Sequence, residues 1–421
     1  MRALKALYRM CAALLTGLIL LVNARTYYPS STAYGPNQVR DDVIPQLRFL
    51  GTALQDGAGQ DMQRFFPEGY FFTHVLYGLT WVEVGLREHY GSALHQAALQ
   101  EARWALGQLD TTAGRAPFSP ALDPPHGVFY TGWSNWLRGG ILKLQPAGSR
   151  DLDETARFEA ECGGLAEAFE QSATPFLPSY PGQAWPVDSI VAIAALSLHD
   201  EILPPRFAAT IDQWRISASE RVDPTIGLLP HRVDPITGQP IEGARGTSQS
   251  IIQRFLVEID PDWANEQYTL FRQQFVATPM GIPGIREYPG GSSGRGDIDS
   301  GALILGLSAS ASAVTIGTAQ VHGDQHLAGS LLNAAEAFGV PIHWRGTKRY
   351  ALGLLPVGDA FLAWSKTARP WTVPVVENTL PNTIPWWWRV PTHIISLTLI
   401  GAIWMPVWAP LLKEQKRRKT Q

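Results

Sequence analysis

Six times along the chain, a loop rich in Gly, Pro and aromatic residues opens an apolar run. The openings are EGYFFTHVLYG from Glu68, GVFYTGWSNW from Gly127, YPGQAWPVDS from Tyr180, EGARGTSQS from Glu242, GRGDIDSGAL from Gly294 and KRYALGLLPVGDA from Lys348. With helix starts at Tyr70, Tyr130, Pro186, Gly246, Ile298 and Leu352, the steps are 60, 56, 60, 52 and 54 residues. A unit of that length is two antiparallel helices with their connections, and six such units in one chain predict a closed ring. A ring of this kind gathers one end of each inner helix around a shared hollow.

The two helices of each pair differ in pattern. Ser92–Leu109, Asp151–Ser172, Arg206–Glu220, Pro261–Val276 and Gly323–Phe338 have apolar residues three and four apart with polar residues between, as outer helices with one wet face do. Val39–Leu54 completes that set and is expected to close the circle against the run from Leu352 to Trp364. Ser189–Leu198 and Ser300–Val314 are small or apolar all round, as helices buried on every side are. The expected fold is all-α: an (α/α)6 toroid of six helical hairpins, with a short β-hairpin at most in Val222–Pro240.

The ends read as membrane segments. Arg2, Lys5 and Arg9 precede an apolar run from Met10 to Val22, so residues 1–24 are expected to be a signal peptide, or failing that an N-terminal anchor. Val390 to Leu412 contains no acid, Lys or Arg, and Trp386, Trp387 and Trp388 stand before it as an interfacial belt does. The predicted organisation is therefore a leader (1–24), an extracytoplasmic domain (25–385), a transmembrane segment (386–412) and a basic cytoplasmic tail (413–421). That places a single C-terminal span in the inner membrane with the domain on the periplasmic side. The chain carries −3 overall, its first 24 residues +3 and its last nine +4, leaving −10 between them. An acidic domain argues against nucleic acid as a partner; the lipid bilayer and a glycan or small-molecule substrate are expected instead.

All six openings fall at N-terminal ends of inner helices, hence on one rim that collects backbone N–H groups. The rim acids Asp188, Asp297 and Asp299 are the candidate catalytic groups, because cleaving a glycosidic bond takes one carboxyl as acid and another as base or nucleophile. Capping of a helix start is the competing role for each of them. Glu68, His126, Tyr130, Trp133, Asn135, Tyr180, Trp185, Arg245, Arg286, Glu287 and Tyr288 are the candidate substrate-binding residues, the aromatic ones as faces for sugar rings. His126 and His231 stand alone beside Pro, with no HExxH pair, so no metal is expected, and no cofactor motif is present.

The ring resembles the (α/α)6-toroid enzymes, which include glycoside hydrolases, polysaccharide lyases and terpenoid enzymes. Among these, YTGWSNW at Tyr130 and YPGQAWPVDS at Asp188 resemble segments of linalool dehydratase/isomerase, an exported enzyme with active-site cysteines. Outside the leader this chain has only Cys162, in a predicted outer helix. Asp297-Ile-Asp299-Ser300 is similar to the DxDD motif of class II terpene cyclases, with Ser in the last place. The first functional expectation is acid/base cleavage of a glycan or glycoconjugate. The others are a terpenoid or lipid-linked hydro-lyase or isomerase, and a non-catalytic binding or assembly subunit.

Overall fold

The computed structural model describes residues 2–28, 38–374 and 380–419, with side chains of residue 2 and of 410–419 left aside. The expected leader, domain and tail boundaries thus include residues 1, 29–37, 375–379 and 420–421, which lie outside the described residues. The helices begin with α1 (Arg2–Arg25), α2 (Val43–Gln55), α3 (Ala58–Phe65), α4 (Gly69–Gly85), α5 (Ala93–Leu109) and α6 (Thr112–Arg115). They continue with α7 (Gly127–Lys143), α8 (Leu152–Gln171), α9 (Pro186–Ile202), α10 (Ala208–Ser219) and α11 (Gly246–Leu256). The rest are α12 (Pro261–Phe275), α13 (Ala309–Val321), α14 (Gln325–Phe338), α15 (Pro356–Thr367) and α16 (Val390–Lys419).

Six of them close a ring: α4 packs on α7, α7 on α9, α9 on α11, α11 on α13, α13 on α15, and α15 back on α4. Outside it α5, α8, α10, α12 and α14 lean on their partners, and α2 covers the α15–α4 junction. The fold is an (α/α)6 toroid. Its inner helices read as small and apolar because they touch one another closely. A Cβ on Gly132 of α7 would lie 3.0 Å from the Ala192 backbone of α9, and one on Gly317 of α13 would lie 3.0 Å from Cα of Ser365 in α15.

One end of the ring is closed by its own chain. After α15, Trp371 is buried and stacks on Trp136 of α7 (ring centroids 4.5 Å apart). Its indole N–H donates to Glu83 Oε1 at 2.9 Å and its backbone N–H to Glu258 Oε2 at 2.9 Å. Arg87 and Arg254 pair with these two acids at 2.7 Å each. The mouth is therefore at the opposite end, where the inner helices begin.

Four helix starts fall within three residues of expectation, and two do not. α13 begins at Ala309, not Ile298, because Gly301 and Gly306 take positive φ and Ser308 is the residue that caps, accepting from Ala311 N–H at 3.2 Å. Ser300–Val314 is thus half loop and half helix. α15 begins at Pro356, since Leu352 and Gly353 also sit at positive φ. The expected hairpin in Val222–Pro240 is present as Arg232–Val233 paired with Pro240–Glu242. Two further small sheets had no alternating pattern to announce them: Val276–Ala277 with Gly284–Arg286 and Leu307–Ser308, and Ile342–Trp344 with Thr347–Arg349.

Among the described residues, two helices are long and apolar enough to cross a membrane, Ala3–Arg25 and Val390–Ala409. They lie against each other antiparallel. Trp404 Nε1 donates to Thr16 Oγ1 at 2.9 Å, Asn23 Nδ2 to Ser396 Oγ at 2.7 Å, and Arg389 Nε to the Thr26 carbonyl at 2.9 Å.

Candidate active site

Three carboxyl groups from three sectors of the ring come within electrostatic reach of one another at the mouth. Glu68 precedes the first residue of α4, Asp188 lies in the first turn of α9, and Asp299 lies in the loop that leads to α13. Pro186 at the first position of α9 sets the helix start, which fixes Asp188 one turn inside the rim. There its carboxyl is buried and accepts from Ser179 Oγ at 2.5 Å. Burial, with Asp299 and Glu68 adding negative charge, pushes its pKa up to about 8 against the pull of Ser179.

Asp299 is exposed to water on its loop, yet protein crowds closely enough around its carboxyl to disfavour the charge. Its pKa is pushed up to about 6, by that enclosure first and by Asp297 and Glu68 next. Its loop is pinned on the start of α13: Ser310 Oγ donates to the Asp299 carbonyl at 2.5 Å, and Ser308 Oγ to the Ser300 carbonyl at 3.0 Å. A Cβ on Gly294 would lie 2.3 Å from the Tyr288 ring, so any side chain there must displace that ring. Tyr288 in turn donates to the Arg295 carbonyl at 2.8 Å.

Asp297, two residues away, has a different environment. Its carboxylate meets Arg245 Nη1 at 2.5 Å and accepts the backbone N–H groups of Asp299 (3.1 Å) and Ser300 (3.0 Å). Burial acts upward on it, but these partners outweigh burial and hold its pKa below the ordinary value. The capping expected of this pair is therefore a local turn within the loop, eleven residues before Ser308, which caps the helix. Arg245 also donates to buried Glu287 (Nε to Oε1, 2.7 Å), which accepts from Thr247 Oγ1 at 2.8 Å as well, and its guanidinium lies 5.5 Å from the Tyr288 ring centre. Burial nevertheless keeps the Glu287 pKa above its usual value. His231 is buried against Ser248, and burial, with Arg245 adding, lowers its pKa to about 3.

Aromatic side chains wall the acids. Tyr180 donates its hydroxyl to Glu68 and meets Trp185 edge-on at 5.6 Å; burial and that carboxylate raise its pKa. Phe129 is 6.4 Å from Tyr180 and 5.2 Å from Phe72, which is 5.3 Å from Phe361. Of the expected binding residues, Glu68, Tyr180 and Trp185 gather with Asp188 and Asp299, while Arg245, Glu287 and Tyr288 gather around Asp297. Arg286 ends the strand beside them, half-buried.

The remaining four lie elsewhere. Trp133 is fully buried among Phe72, Phe255 and Trp364, a core position and not an open face. Asn135 is fully buried, and its amide has no hydrogen-bond partner among the described residues. Tyr130 turns outward to Asp110 (2.9 Å) and Arg115 (3.2 Å), and His126 bonds the Phe118 carbonyl at 3.1 Å. Cys162 is buried in α8, its thiol pKa pushed well up by burial, so no thiol is present at the rim among the described residues. Two surface hollows, of about 260 Å³ beside α8 and α10 and about 250 Å³ along α14, have none of the rim acids in their walls.

Sequence reasoning missed Ser179 and the phenyl wall of Phe72, Phe129 and Phe361. Ser179 carried a usable signal. Tyr180 and Gln183 exchange backbone hydrogen bonds across Pro-Gly, with Gly182 at positive φ, and that turn folds Ser179 back onto Asp188. No family model and no curated protein matches the chain. Among solved structures it is similar to a GH76 alpha-mannanase of Bacteroides thetaiotaomicron in selenomethionine form. Identity is 9%, the match covers 70% of this chain and 85% of that one, and the TM-score is 0.44.

Proposed function

We propose that the chain is a membrane-anchored enzyme that hydrolyses a glycosidic bond in a glycan or glycoconjugate at the mouth of the toroid. One observation carries this reading: Asp188 and Asp299 share the mouth, and their surroundings separate their pKa values, to about 8 and about 6. At neutral pH Asp188 then holds a proton and Asp299 does not. Asp188 gives its proton to the leaving oxygen as the C1–O bond breaks. Asp299 faces the anomeric carbon as base or nucleophile, and water supplies the hydroxyl that C1 gains. The proton lost by that water restores the acid. Ser179 orients Asp188, Glu68 and Tyr180 complete the polar face, and Trp185 and Tyr180 offer ring faces to a sugar. Asp297, tied to Arg245, holds the loop that carries Asp299.

Every described ion pair of a rim acid belongs to Asp297, Glu287 or Glu242; none belongs to Asp188, Asp299 or Glu68. A scaffold whose acids served only its stability would neutralise them, which counts against a non-catalytic subunit. The test is release of reducing ends from a panel of cell-envelope glycans. Asp188→Asn and Asp299→Asn should each lower turnover by about 10²–10⁴, with the melting temperature little changed. Wild-type rates in both would discard the assignment. The phenyl wall of Phe72, Phe129 and Phe361 favours a second reading, in which protonated Asp188 acts on an allylic terpenoid alcohol. Turnover of such an alcohol, with no glycan cleaved, would select it.

A further inference from the structure

We propose that the mouth of the ring rests on the lipid bilayer, so that the site receives the polar head of a membrane-resident amphiphile, a glycan carried on a lipid chain. The word glycan rests on the hydrolytic reading above; the docking does not.

Both membrane-length helices join the domain at the connections that build the mouth. The turn before strand Gly284–Arg286 seats the start of α16, for a Cβ on Gly281 would lie 2.5 Å from the Trp388 carbonyl oxygen and 2.8 Å from Pro391. At the end of α1, Arg25 Nη2 donates to the Pro341 carbonyl at 2.8 Å, in the connection from α14 to α15. The pair runs antiparallel, so Arg2, Lys5 and Arg9 and the basic residues after 412 share the end far from the domain. Two basic ends on one side of a membrane is the arrangement that insertion favours.

The same connections expose apolar side chains. Ile304 is 68% exposed and Leu354 76% exposed, and exposed on the same two connections are Met280, Leu305 and Leu352. The last three occupy left-handed backbone, with φ of 51°, 54° and 62°. Turns made only to reverse the chain carry Gly or Asn at such positions, whereas these present a large apolar group outward. Trp386 (86% exposed) and Trp387 precede α16, and Arg389 lies 4.4 Å from the Trp388 ring centre. Tryptophan with arginine is the composition of a headgroup-level belt. Scattered surface Leu and Ile need no explanation, but a set gathered on the loops beside two membrane-length helices has an occupant at hand.

The experiment uses the full chain with Cys11→Ser, in nanodiscs of phosphatidylethanolamine and phosphatidylglycerol. An environment-sensitive label is placed at Ile304→Cys, Leu354→Cys or, on the plugged end, Ala147→Cys. Labels at 304 and 354 should shift to the blue and be quenched by nitroxide lipids, with 147 unaffected. Equal wetness at all three positions overturns the docking, whatever Asp188→Asn does to turnover. Leu305→Asp with Leu354→Asp should slow cleavage of a lipid-linked glycan about tenfold or more and leave the same glycan, freed of lipid, unchanged. Equal slowing of both substrates overturns the substrate class. Quenched labels on a protein that cleaves no glycan uphold the docking and sink the hydrolytic reading instead.

Discussion

Asp188 and Asp297 both sit on the rim, and their neighbours send them opposite ways. Asp188 has a serine and two other acids for company, Asp297 an arginine and two backbone donors. A pH profile reads this directly. Turnover should fall below about pH 6 as Asp299 takes up a proton, and above about pH 8 as Asp188 loses one. The two limbs belong to the coupled group, so Asp299→Asn should remove the acid limb and also move the alkaline one downward. Stability gives an independent sign. Asp188 has a folded pKa raised from 3.8 to about 8, so its contribution is full at pH values below the unfolded value and is lost as pH rises toward 8. Asparagine cannot ionise and escapes that loss. Asp188→Asn should therefore melt no lower than wild type at pH 8 while inactive, and a clear fall in its melting temperature there would contradict a buried protonated acid.

At the scale of elements, much of the ring was legible and the loops were not. The starts of α9 and α11 fall on Pro186 and Gly246 as expected, because proline and small residues at a helix start act through local backbone chemistry. Ser92, Asp151 and Asp260 cap the outer helices for the same reason. The loop from Gly290 to Ser308 defeats the sequence because its shape depends on distant partners: Tyr288 under Gly294, Arg245 on Asp297, Ser310 on the Asp299 carbonyl. The rim acids could thus be named from the sequence, but not which of Asp297 and Asp299 is ion-paired. Gly294→Ala tests whether that loop positions Asp299, since the methyl group must displace the Tyr288 ring. Turnover should drop with global melting nearly unchanged; equal loss of both would make the loop a core element. The two membrane-length helices carry their own test. Polar contacts from Thr16 and Asn23 of α1 to α16 give the N-terminal helix a partner of the kind that holds helices together in an apolar layer. Intact mass of the membrane-extracted protein should therefore include residues 1–24. A mature chain starting near Arg25 would instead bear out the signal-peptide expectation.

For the molecule as a whole, order is concentrated where the ring closes and is withheld where it opens. Closure falls to α2, which joins the sixth pair through a buried charge cluster: Asp42 Oδ2 accepts from Lys348 (2.6 Å) and Lys366 (2.7 Å), and Glu336 accepts from Lys348 as well. Burial alone would lift the Asp42 pKa, but Lys366 and Lys348 outweigh it and hold the carboxyl well below its ordinary range. Its contribution to stability is accordingly present above an unfolded value near 3.8 and is lost as pH falls from there. Asp42→Ala leaves two buried ammonium groups sharing one remaining acid, and breaking such a cluster costs about 3–5 kcal/mol. Denaturant unfolding should show that loss, while Asp297→Asn, on a half-open loop, should shift the midpoint far less. The mouth has few such ties. Among the described residues Asp299 has no ion pair, and its loop is held by the single Asp297–Arg245 pair and by serine hydroxyls. Native-state hydrogen exchange should therefore find the amides of 291–306 opening well before those of α4 and α15, which bound the closure. Equal protection of both would mean that the rim is as rigid as the closure. In that case a bulky lipid-borne head would have no compliant edge to pass, and the reaction would have to be sought on a smaller substrate.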